Sequence, residues 1–221
     1  MNNFVITIGR YCGSGGSSVG KLLAERLGIA FYDRNLLRLA SDDSGISEEL
    51  FLRADERLKS TPLFRASRKV YHGELIPPED EDFTSNRNLF NYQAKVIKEL
   101  ADSTSFVVIG RCADYILRDY NNVAKVFVSA REEDCIRHEM ERTSLSEKDA
   151  TARFLKTNKY RREYYRYYTG QTWDAAGNYD FCVSTSKLSY EECADMICMY
   201  LKKRGLISEV GDKSSVLTDI K

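Results

Sequence analysis

Gly13, Ser14, Gly15 and Gly16 stand between an apolar run, Phe4 to Ile8, and a helical pattern, and they are the first residues here with chemistry to offer. A stretch without bulky side chains lets backbone N–H groups close around an anion. The helix that follows, from Ser17 or Ser18, adds unpaired N–H groups of its own and the positive end of its dipole. Val19, Leu22, Leu23 and Leu27 share one face of that helix, and Gly28 is its C-terminal stop. Strand, glycine loop and helix in this order predict a bound phosphate, most naturally a nucleotide's. The bland alternative is a glycine turn that binds nothing.

The pattern G-x-x-x-x-G-K-[ST] uses its lysine on the β- and γ-phosphates and its hydroxyl on Mg²⁺. In one register, GGSSVGKL, Lys21 falls a turn inside the helix and Leu22 takes the hydroxyl position. Counting from the strand instead, Gly16 takes the lysine position and Ser18 the magnesium-binding hydroxyl. The second register keeps the loop at the end of the strand and is the one adopted. Gly13, Ser14, Gly15, Gly16, Ser17 and Ser18 would then cradle the phosphates, with Arg10 the nearest cation able to replace the missing lysine.

The elements that must position this loop alternate along the chain. Strand-like runs over 4–8, 29–32, 106–109, 124–128 and 179–183 are separated by helical patterns over 34–40, 47–59, 88–102, 112–118, 131–142, 146–168 and 189–205. Alternation of this kind predicts an α/β layer fold with a parallel sheet. Ligands of such sheets lie at the carboxyl ends of the strands. Asp33 and the pair Gly110-Arg111 follow strands directly, with Arg34, Arg38 and Asp114 close by, a set suited to a second phosphorylated ligand. Asp33 as a helix N-cap and Arg111 in an interior ion pair are the competing structural roles. Residues 60–88 hold all three prolines and the acidic run Glu79-Asp80-Glu81-Asp82, and they read as a long mobile connection of the kind that forms lids. The organisation expected is one domain over 1–205, with an insertion near 41–90, a lid helix near 146–170 and a frayed polar tail over 206–221.

Between Arg153 and Tyr168, Arg153, Lys156, Lys159, Arg162 and Arg166 recur every three or four residues and so line one helical face, with Tyr160, Tyr164, Tyr165, Tyr167 and Tyr168 interleaved. Three readings compete: a solvated basic face beside a tyrosine packing face, a lid whose arginines close over transferring phosphates, and a nucleic-acid surface. The last is weakened by an overall formal charge of zero, from 33 basic and 33 acidic residues. At 221 residues and 43% apolar the chain can bury a real core. No signal peptide or bilayer-spanning run is evident, so the cytoplasm and no membrane partner are expected. Six cysteines (12, 112, 135, 182, 193 and 198) lack metal spacing and read as reduced, mostly buried thiols. The two histidines, His72 and His138, are far apart in sequence, and His138 reads as a surface residue of a charged helix.

Taken together, the glycine loop, FYDRNLL, VVIGRCADYIL, YYRYYTGQTW and NYDFCVSTSKLSYEE resemble the cytidylate kinase-like family, a branch of the P-loop nucleoside monophosphate kinases. The resemblance spans nearly the whole chain outside residues 60–88 and the tail. It implies a three-layer fold with a five-stranded parallel sheet, a nucleotide-binding insertion and a lid. It also implies transfer of the γ-phosphoryl of ATP, with Mg²⁺, to a nucleoside monophosphate such as CMP. By position, Gly13 to Ser18 would hold ATP. Asp33, Arg38 and Arg111 would face the acceptor, Arg161 and Arg162 would be lid arginines, and Asp180 would border the acceptor site. The chain departs from cytidylate kinases at Gly16, where they have lysine, and at Ile109 and Asn158, where they have aspartate. Each departure removes a charge, so a nucleotide-binding regulator without catalysis is the rival reading.

Overall fold

The computed structural model describes residues 3–52, 54, 71 and 73–208. His72, most of the expected 47–59 helix beyond residue 52, residues 60–70 of the proline-rich connection and the tail from 209 lie outside them.

Five parallel strands form one sheet in the order β2-β3-β1-β4-β5. They are β1 (Val5–Arg10), β2 (Ala30–Tyr32), β3 (Phe106–Ile109), β4 (Val123–Ser129) and β5 (Phe181–Ser184). The predicted α/β class and parallel sheet are what the chain forms. β1 runs two residues past the apolar stretch, because Gly9 and Arg10 still pair with Phe127 and Val128 of β4. Arg10 is therefore part of the sheet and not of the loop beyond it.

Side-chain alternation sorts the strands' residues between two cores. Ile6, Ile8, Val107, Ile109, Ala124, Val126 and Val128 pack on one face, beneath α1 (Gly16–Leu27) and the final helix α7 (Tyr190–Lys203). Val5, Phe106, Val108, Val123 and Phe127 pack on the other. There they meet α2 (Leu36–Ser44), α3 (Asn86–Ser103), the single turn α4 (Ala113–Ile116) and the buried tyrosines of α6 (Glu147–Thr169). Between these faces and the loop, α5 (Glu132–Thr143) and α6 form a helical hairpin.

Helix ends follow their caps. Ser189 and Glu192 form the reciprocal capping box that opens α7. Ser146 opens α6 by accepting from the Asp149 N–H, but its hydroxyl donates to the Asp149 carboxylate at 2.6 Å, so no reciprocal box is made there. α3 begins two residues before the apolar pattern, at a cap supplied by Ser85. Among the described residues no helix is long and apolar enough to cross a membrane.

The strand order reverses at β1, with β2 and β3 on one side and β4 and β5 on the other. In open α/β sheets the crevice beyond the carboxyl ends at such a reversal is where ligands bind.

Candidate active site

A cavity of about 860 Å³ lies at this reversal, lined by the glycine loop and by residues from β1, the β2 and β3 ends, and the α5–α6 hairpin. Gly13, Gly15, Gly16, Ser17 and Ser18 all line it. Gly13 (φ 75°) and Gly15 (φ 74°) carry the left-handed turns that let the chain leave β1 and enter α1 within five residues. α1 begins at Gly16, and the N–H groups of Gly16, Ser17 and Ser18 have no intrahelical acceptor at that end. Ser14 differs. Its hydroxyl donates to the Val128 carbonyl at 2.9 Å, its N–H to Tyr11 O, and its side chain is fully buried. Ser14 thus anchors the loop and offers a ligand nothing, contrary to its expected place among the phosphate-binding groups.

Arg10 explains the missing lysine. A Cβ at Gly16 would lie 2.5 Å from the Arg10 Cβ, and one at Gly110 would lie 2.5 Å from its Nη1. Two glycines therefore form a passage through which Arg10 reaches Asp33, at 4.0 Å. Burial, then the nearby Arg161 and Arg111 charges, push its guanidinium down to about 9, against the opposing pull of Asp33. It remains cationic at neutral pH. Lys21, the lysine of the rejected register, is exposed and pairs with Glu25 on the outside of α1.

Arg111 lines the cavity directly after β3. Gly110, Arg111 and Cys112 are all left-handed, with φ of 67°, 60° and 53°. Two consecutive non-glycine residues in that region are a real outlier, and such strain collects at functional sites. Arg161 comes from α6 and donates from Nη1 to the Arg10 carbonyl at 2.9 Å; burial lowers its pKa. Asn158, one turn earlier, accepts from the Cys12 N–H at 2.9 Å, and His138 of α5 meets the Gly13 carbonyl at 3.0 Å. The hairpin is therefore tied to the glycine loop at two points and to the end of β1 at a third. Arg142 and Arg153, both cavity-lining, are held by the buried Glu139 at 2.8 and 2.9 Å.

Asp33 and Arg34 also line the cavity. Asp33 is not the helix cap; that position belongs to Asn35. Asp114 lines it as well, 7% exposed, and accepts from the Tyr165 hydroxyl at 2.5 Å. Burial raises this carboxyl to about 6 despite the Tyr165 bond. An unfolded aspartate releases its proton near ~3.9, so the folded state holds the extra proton between about pH 4 and 6. Its contribution to stability falls as pH rises through that window, by on the order of 2 kcal/mol. Urea unfolding of Asp114→Asn beside wild type should shift in the variant's favour by about that amount from pH 4.5 to pH 7. A difference that does not move with pH would refute the assignment.

Three expected site residues lie elsewhere. Arg38 is exposed on α2 and does not line the cavity. Arg162 is turned outward to Asp174 at 3.0 Å, one residue round the helix from Arg161. Asp180 precedes β5 and so sits at the amino end of the sheet, where its carboxylate takes the Lys125 N–H and pairs with Arg204. That end faces away from the cavity. The surface reading of His138 is likewise corrected by its bond to the loop, and Cys182 is exposed where a buried thiol was expected.

The cavity also contains residues that the sequence reading passed over: Tyr11, Glu139, Arg142, Trp173 and Tyr190. Trp173 stands within the YYRYYTGQTW motif, which was the available signal. Tyr190 has its ring against Gly15, 2.2 Å from where a Cβ would be. Of the basic stripe read on α6, Arg153 and Lys156 line the cavity, whereas Lys159 pairs with Glu163. The tyrosines of that helix form a packed ladder that ends with Tyr168 stacked on Phe90 at 3.9 Å.

Among solved structures, an uncharacterized protein from Eubacterium ventriosum ATCC 27560 is similar over 90% of this chain and 99% of its own, at 27% identity and a TM-score of 0.66. Shikimate kinase from Bacteroides thetaiotaomicron shares the fold at 12% identity and a TM-score of 0.50, over 90% of this chain and 98% of its own. No curated protein sequence matches. A family model, that of the cytidylate kinase-like family, matches residues 5–187, from the start of β1 to the turn before α7, and so covers the cavity lining except Tyr190 of α7. By that match the chain belongs to the cytidylate kinase-like family.

Proposed function

We propose that the protein transfers the γ-phosphoryl group of ATP to the phosphate of a nucleoside monophosphate. The observation that carries this reading is one cavity in which the open amides of a helix-start glycine loop meet Arg10, Arg111 and Arg161. A phosphate on the loop and a second one beside Arg111 would share those cations. The acceptor's phosphate oxygen is already ionised near neutral pH. It forms the new bond to the γ-phosphorus while the bond to the β-phosphate oxygen breaks, and ADP leaves. No general base is needed, so catalysis rests on positioning and charge neutralisation.

The chain's own groups divide this work. Loop amides and Arg10 would bind the donor phosphates, Arg161 would sit over the transferring group, and Arg111 and Arg34 would hold the acceptor phosphate. Magnesium fits the donor set: the Ser17 and Ser18 hydroxyls and the Asp33 carboxylate line the cavity, and this ion takes one or two protein oxygens beside those of phosphates. When bound it neutralises charge developing on the phosphate oxygens.

ATP turnover coupled to ADP detection, with CMP, dCMP, UMP and AMP as acceptors, tests the reading. At least one acceptor should raise turnover well above the ATP-only rate. Arg161→Ala should then cost on the order of 10²–10³ in kcat, whereas Arg162→Ala, whose side chain points away, should stay within a few-fold. ATP binding with no acceptor-dependent turnover would leave the regulator reading in its place.

A further inference from the structure

We propose that Asp114, oriented by Tyr165, is the residue that selects the acceptor's ring, taking the hydrogen-bond-donating edge of an amino-bearing base. The inference rests on the phosphotransferase reading for its ligand class, nucleoside monophosphates.

Four described acids line the cavity: Asp33, Asp114, Glu139 and Glu141. Asp33 faces Arg10, Glu139 is clasped by Arg142 and Arg153, and Glu141 pairs with Arg137. Asp114 alone has no cation within ion-pair distance among the described residues. Its partners are the Tyr165 hydroxyl and backbone amides of its own turn, at Asp114 and Tyr115. A carboxylate offers about four lone-pair sites, so capacity for a ligand remains.

An acceptor phosphate does not go there, since like charges in a buried site repel. In the proposed arrangement the arginines take the phosphates, which leaves the acceptor's uncharged ring for Asp114, three residues after Arg111. The walls near it are flat rings. Tyr165 touches it directly. Tyr179, whose own ionisation Asp114 opposes, donates to the Trp173 carbonyl at 2.7 Å and fixes that indole in place. Trp173 in turn meets Phe127 and Tyr11 edge-on, at 5.5 and 5.6 Å. A planar ring suits such walls better than a bare sugar.

Above pH of about 6 the carboxyl is ionised and only accepts hydrogen bonds. The 4-amino group of cytosine or the 6-amino group of adenine donates to it. The 4-oxo group of uracil or the 6-oxo group of hypoxanthine sets acceptor against acceptor. A site built to pair with an N–H rejects a ligand that lacks it, because its own buried group is then left unpaired. Tyr165 is the positioning residue: its hydroxyl pins the Asp114 Oδ2, and with the turn amides it leaves about one lone-pair site of the carboxylate for the ring.

The test is titration calorimetry on the full chain at pH 7.5 with CMP against UMP and AMP against IMP, which vary the amino and oxo edges. Wild type should bind at least one amino member ten-fold or more tighter than its oxo partner. Asp114→Asn, which presents an amide donor, should reduce or invert that ratio by ten-fold or more while the Kd for ATP stays within two-fold. Tyr165→Phe should lower the ratio several-fold with the ATP Kd likewise unchanged, and it decides the matter alone should Asp114→Asn fail to fold. Equal binding of amino and oxo partners by wild type, no binding of any of the four, or a ratio unaltered in the variants overturns the proposal. Binding needs no turnover, so an intact ratio in a protein that transfers no phosphate would overturn the enzymatic reading and leave the Asp114 assignment standing.

Discussion

Gly13→Ala should cost the protein both its fold stability and its grip on ATP. An alanine Cβ there would lie 2.1 Å from the Cys135 carbonyl oxygen, a backbone atom that cannot swing aside, and the residue would also sit at φ 75°. Left-handed strain of about 1–3 kcal/mol and a forced shift of similar size combine to roughly 2–5 kcal/mol. For a chain of this length that lowers Tm by on the order of 10 °C. The shift pulls the loop away from α5, whose His138 holds the Gly13 carbonyl. ATP affinity should therefore fall by at least about 10². Gly28→Ala separates the two causes: it shares a positive φ of 64° but meets nothing within 4 Å. It should cost only about 1 kcal/mol and leave ATP binding intact. Scanning calorimetry and ATP titration of both variants decide it. A Gly13→Ala protein with wild-type Tm and affinity would mean that the loop does not pack as described.

The second large effect concerns Arg10 and Gly16. Arg10→Ala should reduce turnover by on the order of 10²–10³, with Tm nearly unchanged, since the lost group is a desolvated cation whose Nε has no hydrogen-bond partner. Restoring a lysine alone should not help. In Gly16→Lys the new Cβ collides with Arg10 Cβ at 2.5 Å and presses on Val128 Cβ at 3.2 Å. That variant should be both destabilised and slower. Combining Gly16→Lys with Arg10→Gly, which removes both the Cβ and the Cγ that lies 3.0 Å away, should recover part of what each loses, a coupling that a double-mutant cycle on kcat/KM measures directly. Additive losses would show that the two side chains do not compete for one space.

Much of this architecture is legible in the residues themselves. Apolar runs at 4–8, 106–109 and 124–128 are buried on both faces, as strands inside a parallel sheet must be, and their alternation fixes which core each residue joins. The loop and Arg111 follow from strand order alone. The helix faces were harder. A charge stripe assumes that charges point to solvent, and it selects Lys159 and Arg162 on α6 while passing over Arg161, a half-buried cation indistinguishable by type from its exposed neighbours. His138 touches the loop across 125 positions, a contact no local pattern carries. Asp180, which the resemblance places beside the acceptor, lies at the amino edge of the sheet, as a residue that precedes a parallel strand must. Trp173 and Tyr190 meet the cavity only because distant segments converge there, and their types alone speak equally for core packing.

The left-handed run Gly110-Arg111-Cys112 has a further thermodynamic meaning. Two of its residues sit where an L-amino acid is disfavoured by about 1–2 kcal/mol each, and the burial of Cys112 and Ala113 in the core holds them there. Main-chain freedom at Arg111 is thus surrendered when the polypeptide folds. Under the proposed function, an incoming acceptor phosphate would meet a guanidinium whose backbone has little entropy left to lose, so that part of the ordering cost falls on folding and not on binding.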